Sequence, residues 1–252
     1  MTRLVDLNAD MGEGYGRWSI GNDSALLEHI TSANIACGLH AGDPDVMAET
    51  MTAALAQGVN LGAHPGFPDI QGFGRRRMTL PETSLRNMIR YQLGAADAMA
   101  RGAGGRLRHF KLHGALSNMA SEDEALARAC YETALDFDPD LVILILPLTA
   151  MQRAMEALRG TWAGEIFADR AYNEDATLVD RSQPGAMIHD GAQAAENMAA
   201  MVREQAIICA SGKRLPCRVD TICVHGDTPE SLEIARAVRA RLEAEGNTVR
   251  PV

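Results

Sequence analysis

Four of the seven histidines occupy the same kind of position, directly after a short apolar segment and within two residues of a glycine or proline: His40, His64, His113 and His225. A neutral imidazole can exchange a proton near neutral pH or bind a metal ion. A neighbouring glycine allows the backbone to approach a ligand closely. Capping or packing could explain any one of these histidines, but the recurrence of the pattern favours one shared site.

Carboxylates occur in the same segments: Asp10, Glu13, Asp43, Asp69, Asp169 and Asp227. Asp10 lies where the first apolar segment ends, so we expect its side chain to point into the site. Asp43 and Glu13 could be explained as a helix cap and a solvated loop residue, and for Asp43, which precedes Pro44, the cap is favoured. An aspartate with several histidines can bind a divalent metal ion such as Mg²⁺, or can act as base and acid. The spacing does not decide between these roles.

Arginines form a second polar group, with Arg75, Arg76 and Arg77 in one long loop and Arg170 directly after Asp169. A basic run of this kind is usually a solvated face. In an acidic chain, however, arginines among glycines suit bidentate binding of a carboxylate or phosphate. We therefore predict an anion-binding role for Arg75 and Arg76.

The segments that carry these residues alternate between two patterns. Short apolar runs predict seven strands, at residues 5–7, 33–37, 59–63, 109–112, 141–146, 165–168 and 221–224. Longer segments rich in Ala, Leu, Met, Glu and Arg predict helices, including 84–101, 122–135 and 192–210. Asp43-Pro44 and Thr228-Pro229 are helix-start signals, and Gly58 and Gly246 are helix ends.

Such alternation predicts a parallel sheet with crossover helices, whose strand-end loops gather on one rim. About seven units could close into a distorted barrel or form an open doubly wound sheet, and the periodicity does not separate the two. No linker or repeat divides residues 1–252, which predicts a single domain.

The composition limits the class of partner. The 252 residues have a formal net charge of −9, which argues against nucleic-acid binding. No apolar run has the length of a signal peptide or a membrane span, and the five cysteines form no CxxC pair. We therefore expect a cytoplasmic protein without a membrane partner. The sequence also contains no GxxxxGK[ST] phosphate loop and no GxSxG elbow.

Six ordered segments resemble the signature blocks of the LamB/YcsF family: DLNADMGEGYG (6–16), SANIACGLHAGDP (32–44), GAHPGFPDIQGFGRR (62–76), KLHGAL (111–116), FADRAY (167–172) and ICVHGDTP (222–229). Members of that family include the A component of bacterial 5-oxoprolinase. The chain departs from the family pattern at Leu112 and at Ser117. It also has Ala176 at a position where a glycine is usual.

The resemblance implies a distorted (β/α) barrel similar to those of polysaccharide deacetylases and glycoside hydrolases. It also implies ATP-dependent opening of 5-oxoproline to glutamate, carried out jointly with 5-oxoprolinase subunits B and C. The departures bear on substrate shape and loop geometry and replace no charged group.

Residue type and loop position assign roles within that reaction. The catalytic candidates are Asp10, His40, Lys111, His113 and Asp169. The candidates for binding substrate or phosphate are Asn8, Asn34, Arg75, Arg76 and Arg170. Asp10, His64 and His113 resemble the Asp-His-His metal set of related barrel deacetylases. Two alternatives stay open: a metal-dependent hydrolase or deacetylase that acts without ATP, and a non-catalytic metabolite-binding subunit.

Overall fold

A closed ring of seven parallel strands forms the centre of the computed structural model, which describes residues 3–226 and 230–252. The ring comprises β1 (Leu4–Met11), β2 (Ser32–Ala36), β3 (Asn60–His64), β4 (Leu107–Phe110), β5 (Val142–Ile145), β6 (Trp162–Phe167) and β9 (Thr221–His225). An antiparallel pair, β7 (Ala206–Ile208) and β8 (Arg214–Pro216), stands apart, and β10 (Thr248–Val249) pairs in parallel with the start of β1. Since β9 pairs with both β6 and β1, the barrel is confirmed and the open sheet is excluded.

Helices connect the strands, as crossover connections in a parallel sheet require. They are α1 (Asp23–Leu26), α2 (Pro44–Ala56), α3 (Glu82–Gly102), α4 (Gly114–Glu122), α5 (Glu124–Phe137), α6 (Ala150–Leu158), α7 (Gly191–Glu204) and α8 (Ser231–Ala244). Within the described ranges, none of the helices combines the length and the apolar character needed to cross a membrane.

The predicted helix signals are mostly confirmed. Asp43 caps α2 by accepting hydrogen bonds from the amides of Asp45 and Val46. Gly58 and Gly246 follow α2 and α8 with positive φ angles of 72° and 81°. The prediction of a helix over 192–210 is wrong at its end, because the chain turns at Gln205 (φ 50°) into β7. Thr228-Pro229 lies outside the described residues.

Both faces of β1 are buried, but they differ in chemistry. Leu7, Ala9 and Met11 belong to the apolar core between the barrel and its helices. Asp6, Asn8 and Asp10 alternate with them and contact polar groups of other barrel strands. The period-two alternation of a strand therefore separates an apolar outer face from a polar barrel interior.

Hydrogen bonds connect the interior polar groups from strand to strand. Asn34 donates to Asn8 Oδ1 at 2.7 Å and to Asp10 Oδ1 at 2.9 Å, and its own Oδ1 accepts from His109 at 2.7 Å. Asn8 donates to Thr221 Oγ1 at 2.7 Å, and that hydroxyl donates to Asp6 at 2.5 Å. Buried polar groups are tolerated when such partners are present, so this network lets the barrel hold amides and acids in its interior.

Gly62 on β3 leaves the space that the His109 ring occupies. A Cβ atom at residue 62 would overlap the imidazole. The register between β3 and β4 also shifts at Leu61 and Gly62. The interior network therefore requires a residue without a side chain at position 62.

We predict that Gly62→Ala lowers the free energy of unfolding by roughly 1–3 kcal/mol, the usual effect of overpacking a tight core. Gly94→Ala is a matched control, because residue 94 lies within α3 with open space around its Cα. It should leave stability unchanged or raise it by up to about 1 kcal/mol. Urea unfolding of both variants measures the difference, and equal stabilities would contradict the packing argument.

Candidate functional site

A cavity of about 520 Å³ lies at the carboxyl ends of the barrel strands, within the normal size range of small-molecule sites. Its wall includes Asp10, His64, Lys111, His113, Phe167, Arg170 and His225. Loop residues Asn173 and 177–181 contribute to the wall as well. Strand-end polar residues thus meet at one rim, as the sequence predicts. Asp227 falls outside the described residues.

An ion pair between Asp10 and Lys111 lies at the base of the cavity. Lys111 Nζ is 2.8 Å from Asp10 Oδ1 and 3.0 Å from Glu165 Oε1, and it donates to Cys223 Sγ at 2.9 Å. Burial alone would raise the pKa of Asp10, but His64 and Lys111 outweigh it and hold this pKa well below its usual value. Asp10 is therefore an ionised carboxylate whose Oδ1 is engaged and whose Oδ2 faces His64 at 3.4 Å.

Two ring nitrogens of His64 and His113 face each other at the edge of the cavity. His64 Nδ1 donates to the carbonyl oxygen of Lys111 at 2.9 Å, and His113 Nε2 donates to that of Phe73 at 2.8 Å. When both rings are neutral, His64 Nε2 and His113 Nδ1 are lone-pair acceptors, only 3.0 Å apart. Such a contact needs a proton or a cation between the two nitrogens. Backbone carbonyls that fix the tautomer in this way are typical of metal-binding histidines.

His40 and Glu13 lie behind this pair. The His40 ring stacks on His113 with centroids 3.7 Å apart, so it is close to the rim histidines but does not line the cavity. Burial and the adjacent His113 hold the pKa of His40 well below its usual value. Glu13 is only 4% exposed, with Oε1 3.7 Å from His113 Nδ1. A solvated loop position, one of the explanations left open for Glu13, is therefore excluded.

His225 and Asp169 form a second pair across the cavity from His64. Both Asp169 oxygens lie 2.8 Å from His225 Nδ1, which leaves His225 Nε2 facing Asp10 Oδ2 at 4.0 Å. Burial would raise the pKa of Asp169, but His225 outweighs it and lowers that pKa. Asp169 therefore reaches the cavity through His225, whose ring orientation it fixes.

The predicted anion-binding residues separate into three groups. Arg75 and Arg170 line the cavity, together with Arg77 and Arg181. Arg76 is outside the wall, where its 63% exposed side chain bonds to Asp69. Asn8 and Asn34 lie beneath the cavity, fully buried, and bind interior groups. From this position the two asparagines can orient Asp10 and Lys111, but they do not contact a ligand in the cavity.

Arg170 is the most deeply placed of the arginines. It is 6% exposed and donates from Nη2 to the carbonyl oxygen of Val179 at 2.6 Å. Burial and the charge of Arg181 lower its pKa to about 10. The loop that carries Val179 and Arg181 includes Ala176, which adopts a positive φ of 68° where the family pattern has glycine. This conformation is strained for alanine.

Sequence reasoning missed Glu13, Glu165, Cys223 and Arg181 as site residues. The side chain of Glu165 reaches Lys111 from β6. The alternation of inward and outward residues along β6 was the signal that could have placed this side chain inside the barrel. Glu13 gave no such signal, since it follows β1 in a glycine-rich loop. His225 was recognised as a rim histidine, but its link to Asp169 depends on residues 56 positions apart.

The model of the LamB/YcsF family matches residues 5–252. The chain belongs to this family. A protein of Ruegeria pomeroyi, named as the A component of 5-oxoprolinase, is 62% identical over 99% of this chain and 98% of its own length. The crystal structure of a lactam utilization protein from Thermus thermophilus is 40% identical and superposes with a TM-score of 0.93 over the whole of both chains.

A more distant likeness concerns the fold alone. The catalytic domain of a peptidoglycan N-acetylglucosamine deacetylase from Eubacterium rectale has a TM-score of 0.54 at 11% identity, covering 100% of this chain and 89% of the other. The expected likeness to deacetylase barrels is confirmed at the level of architecture.

We predict that His109 makes stability depend on pH. Burial, Lys111 and His64 lower its folded pKa from 6.5 to about 3. The unfolded chain takes up this proton below about pH 6.5 and the folded chain does not, so unfolding becomes easier as the pH falls through this window. His109→Gln should reduce the slope of unfolding free energy against pH by up to about 1.4 kcal/mol per pH unit.

Urea unfolding at a series of pH values measures that slope. His189→Gln is the control, because the His189 side chain is 66% exposed. A slope in His109→Gln equal to that of the unsubstituted chain would show that His109 titrates normally in the folded state.

Proposed function

We propose that this chain is the A component of an ATP-dependent 5-oxoprolinase, which opens the lactam ring of 5-oxo-L-proline to give L-glutamate. The names of the relative from R. pomeroyi and of the T. thermophilus protein support a lactam hydrolase. The observation that carries the proposal is that Asp10 Oδ2 and His225 Nε2 lie 4.0 Å apart in the wall of the cavity. One can accept a proton while the other donates one.

Asp10 is suited to act as the base. Its ionised form is stabilised by Lys111 and Asn34 through Oδ1, and Oδ2 is directed toward the cavity side. A water molecule at Oδ2 would lose a proton as it attacks the ring carbonyl carbon. Glu165 also pairs with the Lys111 ammonium, and this contact keeps the ammonium in place while the proton is transferred to Asp10.

His225 is suited to act as the acid. Breaking the ring C–N bond requires a proton on the departing nitrogen. Asp169 holds His225 Nδ1 at 2.8 Å, so that a proton carried on Nε2 would be directed toward the departing nitrogen. In this scheme Asp169 positions the acid, and neither His40 nor Asn8 contacts the substrate.

The arginine wall is suited to bind anionic groups. Arg170 and Arg75 belong to a cationic side of the cavity, and guanidinium groups pair well with carboxylates and phosphates. We propose that Arg170 binds the carboxylate of 5-oxoproline. The remaining arginines of the wall would then meet any phosphoryl group attached to the substrate.

His64 and His113, with Asp10 at their edge, would hold a divalent cation. The facing lone pairs at 3.0 Å fit such an ion, and an imidazole set suits Zn²⁺ or a similar metal better than the Mg²⁺ expected from the sequence. When bound, the cation would supply Lewis-acid polarisation of a carbonyl oxygen. The chain's own contribution is to fix both ring tautomers through backbone carbonyls.

We propose that ATP is consumed by an assembly of this chain with subunits B and C. Transfer of the terminal phosphoryl group of ATP to the amide oxygen, with ADP leaving, would make the unreactive ring carbon open to attack by water. Breaking the C–N bond would then leave an acyl phosphate, which a second water molecule would hydrolyse to glutamate and inorganic phosphate. The absence of a GxxxxGK[ST] loop from the sequence agrees with a nucleotide site built on another component or of another type. In this assembly, residues 1–252 would act as one domain.

The test is 5-oxoproline-dependent ATP hydrolysis with glutamate detection, run with the purified chain alone and with subunits B and C added. We expect glutamate only in the complete mixture and only with ATP. Glutamate formation by the chain alone without nucleotide would favour the metal-dependent hydrolase, which the His64–His113 pair also fits. ATP hydrolysis that is unaffected by omitting this chain would favour the non-catalytic role.

We predict that Asp10→Asn and His225→Gln each lower turnover of the complete mixture by roughly a hundredfold or more, the usual loss when a general base or acid is removed. Both changes keep the side-chain size nearly constant. Thermal unfolding checks that each variant is folded. Folded Asp10→Asn or His225→Gln protein with near-normal turnover would remove that residue from the mechanism.

We predict that Arg170→Gln raises the KM for 5-oxoproline by roughly tenfold or more, since a charge-assisted hydrogen bond to the substrate carboxylate is lost. Arg76→Gln is the matched control from the same predicted set, because Arg76 bonds to Asp69 outside the cavity. It should leave KM within about twofold of the original value. Steady-state kinetics of both variants decides, and a larger effect of Arg76→Gln would reverse the assignment.

A further inference from the structure

His40 is a buried polar side chain next to the cavity. The residue is 1% exposed, and neither Nδ1 nor Nε2 has a hydrogen-bond partner among residues 3–226 and 230–252. Its ring is held between His113, stacked at 3.7 Å, and Gly66, where a Cβ atom would come within 2.7 Å of Nδ1. A buried imidazole with both nitrogens unpartnered calls for a ligand that the protein itself does not supply.

In the part of the chain that the structure describes, two groups of candidate ligand atoms lie at the strand ends. In each group, the atoms lie within 4.8 Å of one another: Glu13 with His40, His64 and His113 in the first, and Asp10 with Cys223 and His225 in the second. Lys111 Nζ lies 2.8 Å from Asp10 and 2.9 Å from Cys223. The ammonium would repel a cation in the second group, so the first group is the better cation site.

The distances in the first group suit a tetrahedral ion. Two ligands that are each about 2.1 Å from such an ion lie about 3.4 Å apart. His64 Nε2 and His113 Nδ1 are 3.0 Å apart, and Glu13 Oε1 is 3.7 Å from His113 Nδ1 and 4.0 Å from His40 Nε2. The four atoms lie within 4.8 Å of one another, and the His40 ring, which is stacked on His113 at an interplanar angle of 9°, would have to turn for both rings to point at one ion.

We propose that Glu13 and His40 complete a cation site with His64 and His113. Glu13 then supplies the carboxylate ligand, and Asp10, already bonded to Lys111 and Asn34, stays available as the base. The inference rests on the cation proposed above for the histidine pair. It removes the need for Asp10 to serve as ligand and base at once.

The test is a Zn²⁺ titration of the chelator-treated, full-length chain by calorimetry, which does not depend on lactam turnover. We expect one strong site in the unsubstituted protein and a loss of affinity of roughly tenfold or more in Glu13→Gln and in His40→Gln. Glu28→Gln, a change at an exposed residue, is the control and should bind as the unsubstituted protein does. Asp10→Asn should weaken binding less than Glu13→Gln.

Thermal unfolding of the metal-free variants verifies folding, and His40→Gln carries the test if Glu13→Gln is unfolded. Unchanged affinity in the folded variants, or a larger loss in Asp10→Asn, would overturn the assignment while leaving the histidine-pair cation intact. Absence of strong Zn²⁺ binding by the unsubstituted protein would overturn both the cation and the role of Glu13. None of these results bears on whether the assembly opens 5-oxoproline.

Discussion

The Lys111 ammonium, buried among Asp10, Glu165 and Cys223, is the interaction on which the rest of the site depends. One positive charge lies between two carboxylates inside a closed barrel, where an unpaired charge costs several kcal/mol. Asn34 and Asn8 supply the remaining hydrogen bonds, and they are held in turn by His109 and Thr221. The barrel interior therefore carries a connected polar network in place of the usual branched apolar layers. Removing the ammonium would take away the partner of Glu165 and leave Asp10 with Asn34 and His64, so the ammonium and its neighbours together orient Asp10.

Above this network the rim is divided into two electrostatic halves. On one side, burial keeps His40 and His113 uncharged, and their nitrogens are available as ligands. On the other side, Arg181 stands close enough to Arg170 for its charge to help lower the Arg170 pKa. His225 lies between the halves, oriented by Asp169 and stacked on Phe167. If the anionic group of a ligand binds at the arginines, the atoms next to that group would thus face the histidines. Asp10 would lie below the arginines and the histidines.

The sequence predicted most of what depends on local pattern. The seven barrel strands were identifiable because their outward residues are apolar, and the rim histidines because polar residues end each strand. Closure of the barrel was not predictable, since it depends on pairing between β1 and β9. Arg75 and Arg76 could not be distinguished either, because adjacent loop residues point in directions that only the fold determines. Glu13 was missed as a site residue for the same reason, and the strand over 206–208 was mistaken for helix because its apolar residues continue the pattern of α7.

The closure of the barrel by β9 also bears on how the molecule is made. Asp6 and Thr221 are bonded although 215 positions separate them. Chains that depend on such distant contacts fold slowly, because a long loop must close before any contact is gained. During synthesis, β1 is made before β9 and carries Asp6, Asn8 and Asp10 with no β9 to pair against. The pairing of β1 is therefore completed only after β9 has been made, and both the polar interior and the cavity above it can form only then.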